Sequence, residues 1–183
     1  MATGPSKTKI KLLQAAAQVV QAKGVAQLTL DAVAQQAQIS KGGLLYHYPS
    51  KSALLKAMVA YLIENFEQAL EQQMQATAGE TNWVEAYVAM SFDPNHAQLS
   101  ESAGILAAVA NDPSLMQPLR QQYQTWQAAA EASGLDPNLA TIVRLAADGL
   151  WFTELFNVSP LTAERRSQVL EALLQLIQQS RKR

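Results

Sequence analysis

From Lys51 to Gln75 the chain contains neither glycine nor proline, and Leu55, Met58, Val59, Leu62, Phe66 and Leu70 recur three or four residues apart. That spacing places the six apolar side chains along one face of a single long helix. The rest of the chain favours helix as well. It holds 31 Ala, 24 Leu and 21 Gln against 17 Val plus Ile, an excess of strong helix formers over the β-branched residues that strands prefer. No run alternates with the period of a strand, and no internal repeat occurs. The glutamines read as an uncharged, solvated helix surface. The expected fold class is all-α.

Proline, glycine and capping residues set the other boundaries. A first helix is expected over about 7–22, with Ile10, Leu13, Ala17 and Val20 on one face and Gly24 just past its end. Thr29 is placed to cap a short helix through Ala37, and Ser40 to cap another through Tyr48. Pro49 and Ser50 stop that helix and start the long one. Beyond Gly79, helices are expected over about 82–92, 97–111, 114–133, 138–157 and 163–180. Asp112-Pro113 and Asp136-Pro137 each read as an N-cap followed by proline in the first turn, and Thr162 caps the last helix. The result is about nine helices, divided into a domain over 1–50 and a larger one over 51–183.

Several classes of function are excluded. Without cysteine there is no disulfide framework, thiolate metal site or cysteine nucleophile. The longest stretch free of Asp, Glu, Lys and Arg is 11 residues, Leu12 to Ala22, where a spanning helix needs roughly 18. No apolar signal core precedes a small-residue cleavage site, so a cytoplasmic location is expected. His47 and His96 fall in different expected domains, and no H-E-x-x-H, P-loop or G-x-S-x-G motif occurs. Glu64, Glu67 and Glu71 share a helix face but lack the Glu-x-x-His of a di-iron bundle. No enzymatic activity, cofactor or metal is expected.

A formal net charge of −1 hides an uneven distribution. Up to Ile63 there are seven lysines and one acid, Asp31, for a charge of +6; from Glu64 onward seven basic residues face 14 acids, for −7. A compact basic region is what a phosphate backbone rewards, because lysine at phosphate releases counterions. Charge alone fits an ordinary lysine-rich surface equally well. The local sequence separates the two. Leu28 to Tyr48, LTLDAVAQQAQISKGGLLYHY, reads as helix, three-residue turn and helix, with Ala34 and Ala37 small where the helices cross and Leu30, Val33, Ile39 and Leu44 in their shared contact. Lys41, Gly42, Gly43, Tyr46 and His47 then combine charge, bare backbone and aromatic groups along the second helix, while Tyr48 is expected to pack. Adjacent glycines weaken a helix by about 1 kcal/mol each relative to alanine, which makes sense where backbone approaches DNA.

This stretch resembles the DNA-binding domain of the TetR/AcrR family of transcriptional regulators, over about residues 10–55 and most specifically in ISKGGLLYHYPSKSALL at 39–55. The resemblance implies a homodimeric regulator, usually a repressor, on a roughly palindromic double-stranded DNA operator. By position, Ser40 caps the recognition helix, Lys41, Gly42 and Gly43 approach the DNA, and Tyr46 and His47 touch backbone or base edges. Lys51 contacts phosphate, and Thr29 can hold another phosphate. Two positions depart from the family pattern. Gln38 stands in the turn where glycine is frequent, and Leu45 replaces a DNA-facing tyrosine, leaving an apolar side chain for a thymine methyl.

The resemblance also implies an inducer cavity in the larger domain, where nine of the 12 aromatic residues lie from Glu64 onward. The candidates are Tyr61, Phe66, Trp83, Tyr87, Met90, Ile105, Tyr123, Trp126 and Trp151, with His96 and Arg120 as polar groups, for a small apolar or aromatic molecule. The last two helices are expected to form the dimer interface through Leu145, Gly149, Leu150, Phe152, Phe156, Leu170, Leu173, Leu174 and Ile177. No membrane partner is expected. A helical ligand-sensing or protein-interaction module without DNA binding stays open as the alternative.

Overall fold

The computed structural model describes residues 6–76, 82–93 and 113–181. Among them are eight α-helices and no strand, in agreement with the all-α expectation: α1 (Lys7–Lys23), α2 (Leu30–Ala37), α3 (Lys41–His47), α4 (Lys51–Ala76), α5 (Trp83–Ser91), α6 (Gln117–Glu131), α7 (Pro137–Leu155) and α8 (Ala163–Arg181). Short 3-10 turns occupy Val25–Gln27 and Pro113–Met116. The helix expected over 97–111 lies outside the described residues.

Local chemistry sets most helix starts. The first free amides are taken up by Ser6, Thr29, Ser40 and Ser50 in α1 to α4, with the hydroxyl of each accepting from the N–H three residues on, at 3.1–3.4 Å. Asn82 and Glu85 form a reciprocal capping box at α5, Asp136 accepts from Asn138 and Leu139 ahead of α7, and Thr162 accepts from Arg165 at α8. Such caps contribute about 1 kcal/mol each. The expected start of α6 at Ser114 is shifted. Pro118 has no amide to donate back to residue 114, so the chain tightens into a 3-10 turn and the α-ladder begins at Gln117. Pro118 then sits in the first turn, where its missing N–H costs little.

The described residues pack as two compact units. The first comprises 6–63 with 113–120. Its core contains Leu12, Leu28, Val33, Leu44, Leu54 and Met58, all 0–1% exposed, and Leu115 is buried in the same cluster. The second comprises 64–76, 82–93 and 121–181, with α5 packed on α7 and α8. Val84, Val88, Val143 and Ile177 lie fully buried at its centre. Helix α7 has two apolar faces. Ala140, Val143, Ala147 and Leu150 point into this core, whereas Ile142, Leu145 and Phe152 are solvent-exposed.

Candidate functional site

In the first unit the turn between α2 and α3 sets the geometry. Gln38 adopts the left-handed conformation (φ 54°, ψ 43°), which turns the chain within three residues while its N–H still bonds back to Ala34 and Gln35. The two helices meet over Ala34 and Ala37, both nearly fully buried, with Val33 and Leu44 closing the contact. Leu44 faces inward, so Lys41, Gly42, Leu45 and Tyr46 on α3 face out. Tyr46 is 85% exposed, and the His47 ring meets it edge-on at 5.1 Å. Tyr48 is buried, as its role in packing requires, and burial raises the pKa of its phenol. Thr29, Ser40 and Lys51 are exposed, the first two with their hydroxyls engaged as caps.

The two glycines differ. A Cβ on Gly42 would meet nothing within 4 Å among the described residues, so its bareness serves no contact with them. A Cβ on Gly43 would lie 3.0 Å from Ile39 Cγ2 and 3.3 Å from Ser40 Oγ, so a side chain there would crowd Ile39 and the cap that starts α3. Lys41 is held by Asp31, whose carboxylate oxygens lie 2.9 and 3.0 Å from the ammonium.

In the second unit, five of the expected ligand residues form one cluster. The Phe66 ring lies 5.4 Å from Tyr87 and 5.0 Å from Trp126; Trp83 stacks on Tyr87 at 4.8 Å, and Tyr123 meets Trp126 at 5.0 Å. A polar network that sequence reasoning missed is buried against these rings. The Tyr87 hydroxyl donates to Asp148 at 2.6 Å, and Arg144 pairs with the other Asp148 oxygen. Arg144 Nε donates to Gln127 at 2.8 Å, its guanidinium lies 5.8 Å from the Tyr123 ring centre, and Gln127 donates onward to Thr141 and Glu131. Burial pushes the Asp148 carboxyl above its ordinary pKa despite the opposing Tyr87 hydrogen bond and Arg144 charge. Burial, then the Asp148 charge, raises Tyr87 and Tyr123 further from ionisation. The indole N–H of Trp126 is buried and has no hydrogen-bond partner among the described residues. A separate groove of about 360 Å³ is lined by Ala69, Gln73, Met90 and Asp93 among others.

The remaining expected ligand residues are placed elsewhere. Tyr61 and Arg120 belong to the first unit, Trp151 is half-buried against Phe152, and His96 and Ile105 lie outside the described residues. Arg144 and Asp148 carried a signal in sequence, an i,i+4 acid–base pair, but such pairs are usually solvated.

The residues expected at a subunit interface also divide. Leu145, Gly149, Phe152 and Phe156 are exposed on one stripe of α7 and its end, joined by Ile142; Leu176 of α8 is exposed as well, and sequence reasoning singled out neither Ile142 nor Leu176. Leu150, Leu173 and Ile177 are buried in the protomer's own core, and Leu170 and Leu174 pack partly buried against it. Apolar spacing identifies faces of a helix, but it does not say which face turns inward. Gly149 has nothing within 4 Å of its Cβ position among the described residues.

A helix-turn-helix unit followed by a helical unit with a polar network under aromatic rings has the build of a two-domain transcriptional regulator. Residues 12–58 match the bacterial regulatory proteins of the tetR family, and residues 81–178 match the tetracyclin repressor-like C-terminal domain. The chain belongs to the TetR family of helix-turn-helix transcriptional regulators. The HTH-type transcriptional regulator BetI of Serratia proteamaculans is 27% identical over 147 residues, covering 76% of this chain and 73% of BetI. In fold, the chain is similar to a putative TetR-family regulator from Rhodococcus sp. (TM-score 0.72, 19% identity, 94% of this chain and 99% of that one). It is also similar to the multidrug binding protein EbrR complexed with malachite green (TM-score 0.69, 22% identity, 92% and 98%).

Proposed function

We propose that this regulator is a homodimeric repressor that binds a palindromic operator through α3 and its flanks and is released by a small apolar or aromatic molecule held in the second unit. The observation that carries the ligand reading is the Arg144–Asp148–Tyr87 network beneath Phe66, Trp83, Tyr123 and Trp126. Burying an ion pair costs several kcal/mol per charge before attraction offsets it, and apolar residues of similar volume often serve stability as well. Perturbed ionisable groups beside a hydrophobic shell cluster at functional sites for that reason. EbrR, which shares the fold, has been seen with malachite green and ethidium, both aromatic.

The outward stripe Ile142, Leu145, Phe152 and Phe156 along α7 and its end supports a two-fold dimer, since apolar surface of this kind marks association. A two-fold pair would present its α3 helices to half-sites about 34–36 Å apart. The test is selection of genomic fragments by the purified protein, followed by ligand titration of the selected complex. Ligand and DNA must weaken each other's binding by the same factor. Salt-insensitive DNA binding, or ligand binding independent of DNA, counts against the reading.

A further inference from the structure

The basic stretch over residues 1–63 carries one feature that opposes a polyanion. Asp31 is the single acid among residues 1–63, against seven lysines. It is not remote from the candidate interface, because both its oxygens lie on the ammonium of Lys41, the first residue of α3. The two side chains remain 67% and 60% exposed. An exposed pair of this kind contributes little to a fold. Nor does α2 depend on Asp31 for its start, because Thr29 already caps it.

The consequence of the pair falls on DNA. An ammonium held by a carboxylate brings almost no net charge to the phosphate backbone and so adds little counterion release. A phosphate that takes Lys41 has to displace Asp31 and then remain beside its negative charge. A base edge makes no such demand, for it offers neutral acceptors to an ammonium donor, and cytosine and adenine offer amino groups to a carboxylate. We propose that Asp31 is a specificity-determining residue: by holding Lys41 it withholds that charge from phosphates of arbitrary sequence, and lowers non-specific DNA affinity more than operator affinity. The proposal rests on the DNA-binding reading and goes beyond it.

The test compares wild-type protein, Asp31→Asn, Lys41→Gln and the double variant on two duplexes of equal length over a salt series. One duplex is a genomic fragment selected by the wild type and the other has random sequence. Asp31→Asn is expected to tighten random-duplex binding by up to about fivefold, the scale of an exposed ion pair. It should steepen the dependence of log K on log salt by about 0.9, one further phosphate contact. Affinity for the selected fragment should change less, so that selectivity falls, and Asp31→Glu should restore it. In the Lys41→Gln background, Asp31→Asn should change random-duplex affinity by less than about twofold, because the effect passes through Lys41. Equal tightening on both duplexes, an undiminished effect without Lys41, or weaker binding to both overturns the proposal while leaving the regulator reading intact. A wild-type protein that selects no genomic fragment removes both.

Discussion

Replacing Asp148 with alanine removes an acceptor that two buried donors share. The side chains of Asp148 and Arg144 are each 10% exposed, so water does not take over the vacated role. The variant leaves a buried guanidinium without its carboxylate and a Tyr87 hydroxyl without its acceptor. Removing one partner of a buried ion pair costs about 3–5 kcal/mol, and an orphaned hydroxyl about 1–3 kcal/mol. The two losses share one site and are not additive, so a total of about 4 kcal/mol is expected. For a chain of this size that corresponds to a fall in Tm of roughly 8–16 °C. Tryptophan fluorescence during urea unfolding is the appropriate assay, because Trp83, Trp126 and Trp151 all lie in the second unit and report on it alone. Replacing both partners, Arg144→Met with Asp148→Leu, should recover most of the loss. Asp148→Asn, which keeps an acceptor for Tyr87, should fall between.

The same residue predicts a pH effect. The folded-state pKa of Asp148 is raised by burial, so the folded protein holds this proton more readily than the unfolded chain does. Its contribution therefore favours the folded state at pH below the unfolded value and declines as pH rises through the window up to the folded value. Asp148→Asn should lack that decline. A loss under about 1 kcal/mol for Asp148→Ala, with no change in pH slope, would refute the description of the network as buried and closed.

Other substitutions separate roles that the sequence alone merges. Gln38→Gly should stabilise the head by about 1 kcal/mol in thermal unfolding, since a side chain at φ 54° carries left-handed strain that glycine lacks. Gly42→Ala should add about 0.5–1 kcal/mol of stability yet weaken DNA binding in a gel-shift titration; unchanged affinity would deny a close backbone approach there. Gly43→Ala, by contrast, should destabilise α3 because its methyl group crowds Ile39 and the Ser40 cap. Phe152→Glu should shift sedimentation toward monomer with little loss of helix, whereas Ile177→Ala should cost the protomer about 2–5 kcal/mol.

The parts of the fold legible in sequence are those set by contacts a few residues apart. Thr29, Ser40, Asp136 and Thr162 cap where the pattern places them, and Gly24 takes a positive φ after α1. The turn at Gln38 was visible through resemblance to the family, which often has glycine at that position, and Gln38 does take a positive φ. What sequence could not resolve is set by packing. Arg144 and Asp148 look like a solvated helix pair until α5 and α6 bring Tyr87, Tyr123 and Gln127 against them. Ile177 and Phe152 are equally apolar, yet one is fully buried and the other 47% exposed, because the side of a helix that meets its neighbour is a property of three-dimensional assembly. Leu115 joins the core of the first unit from a segment far along the chain, a contact that no local pattern encodes.

The capping residues of the head have a practical consequence. Ser6, Thr29, Ser40 and Ser50 are all hydroxyl donors and acceptors without charge. Hydroxyls do not titrate between pH 4 and 10 in any ordinary setting, and their hydrogen bonds are not weakened by screening as ion pairs are. The starts of α1 to α4 are therefore indifferent to the two variables that a DNA-binding experiment changes most. A DNA-binding curve that moves with salt therefore carries no hidden contribution from helices fraying at their first turn.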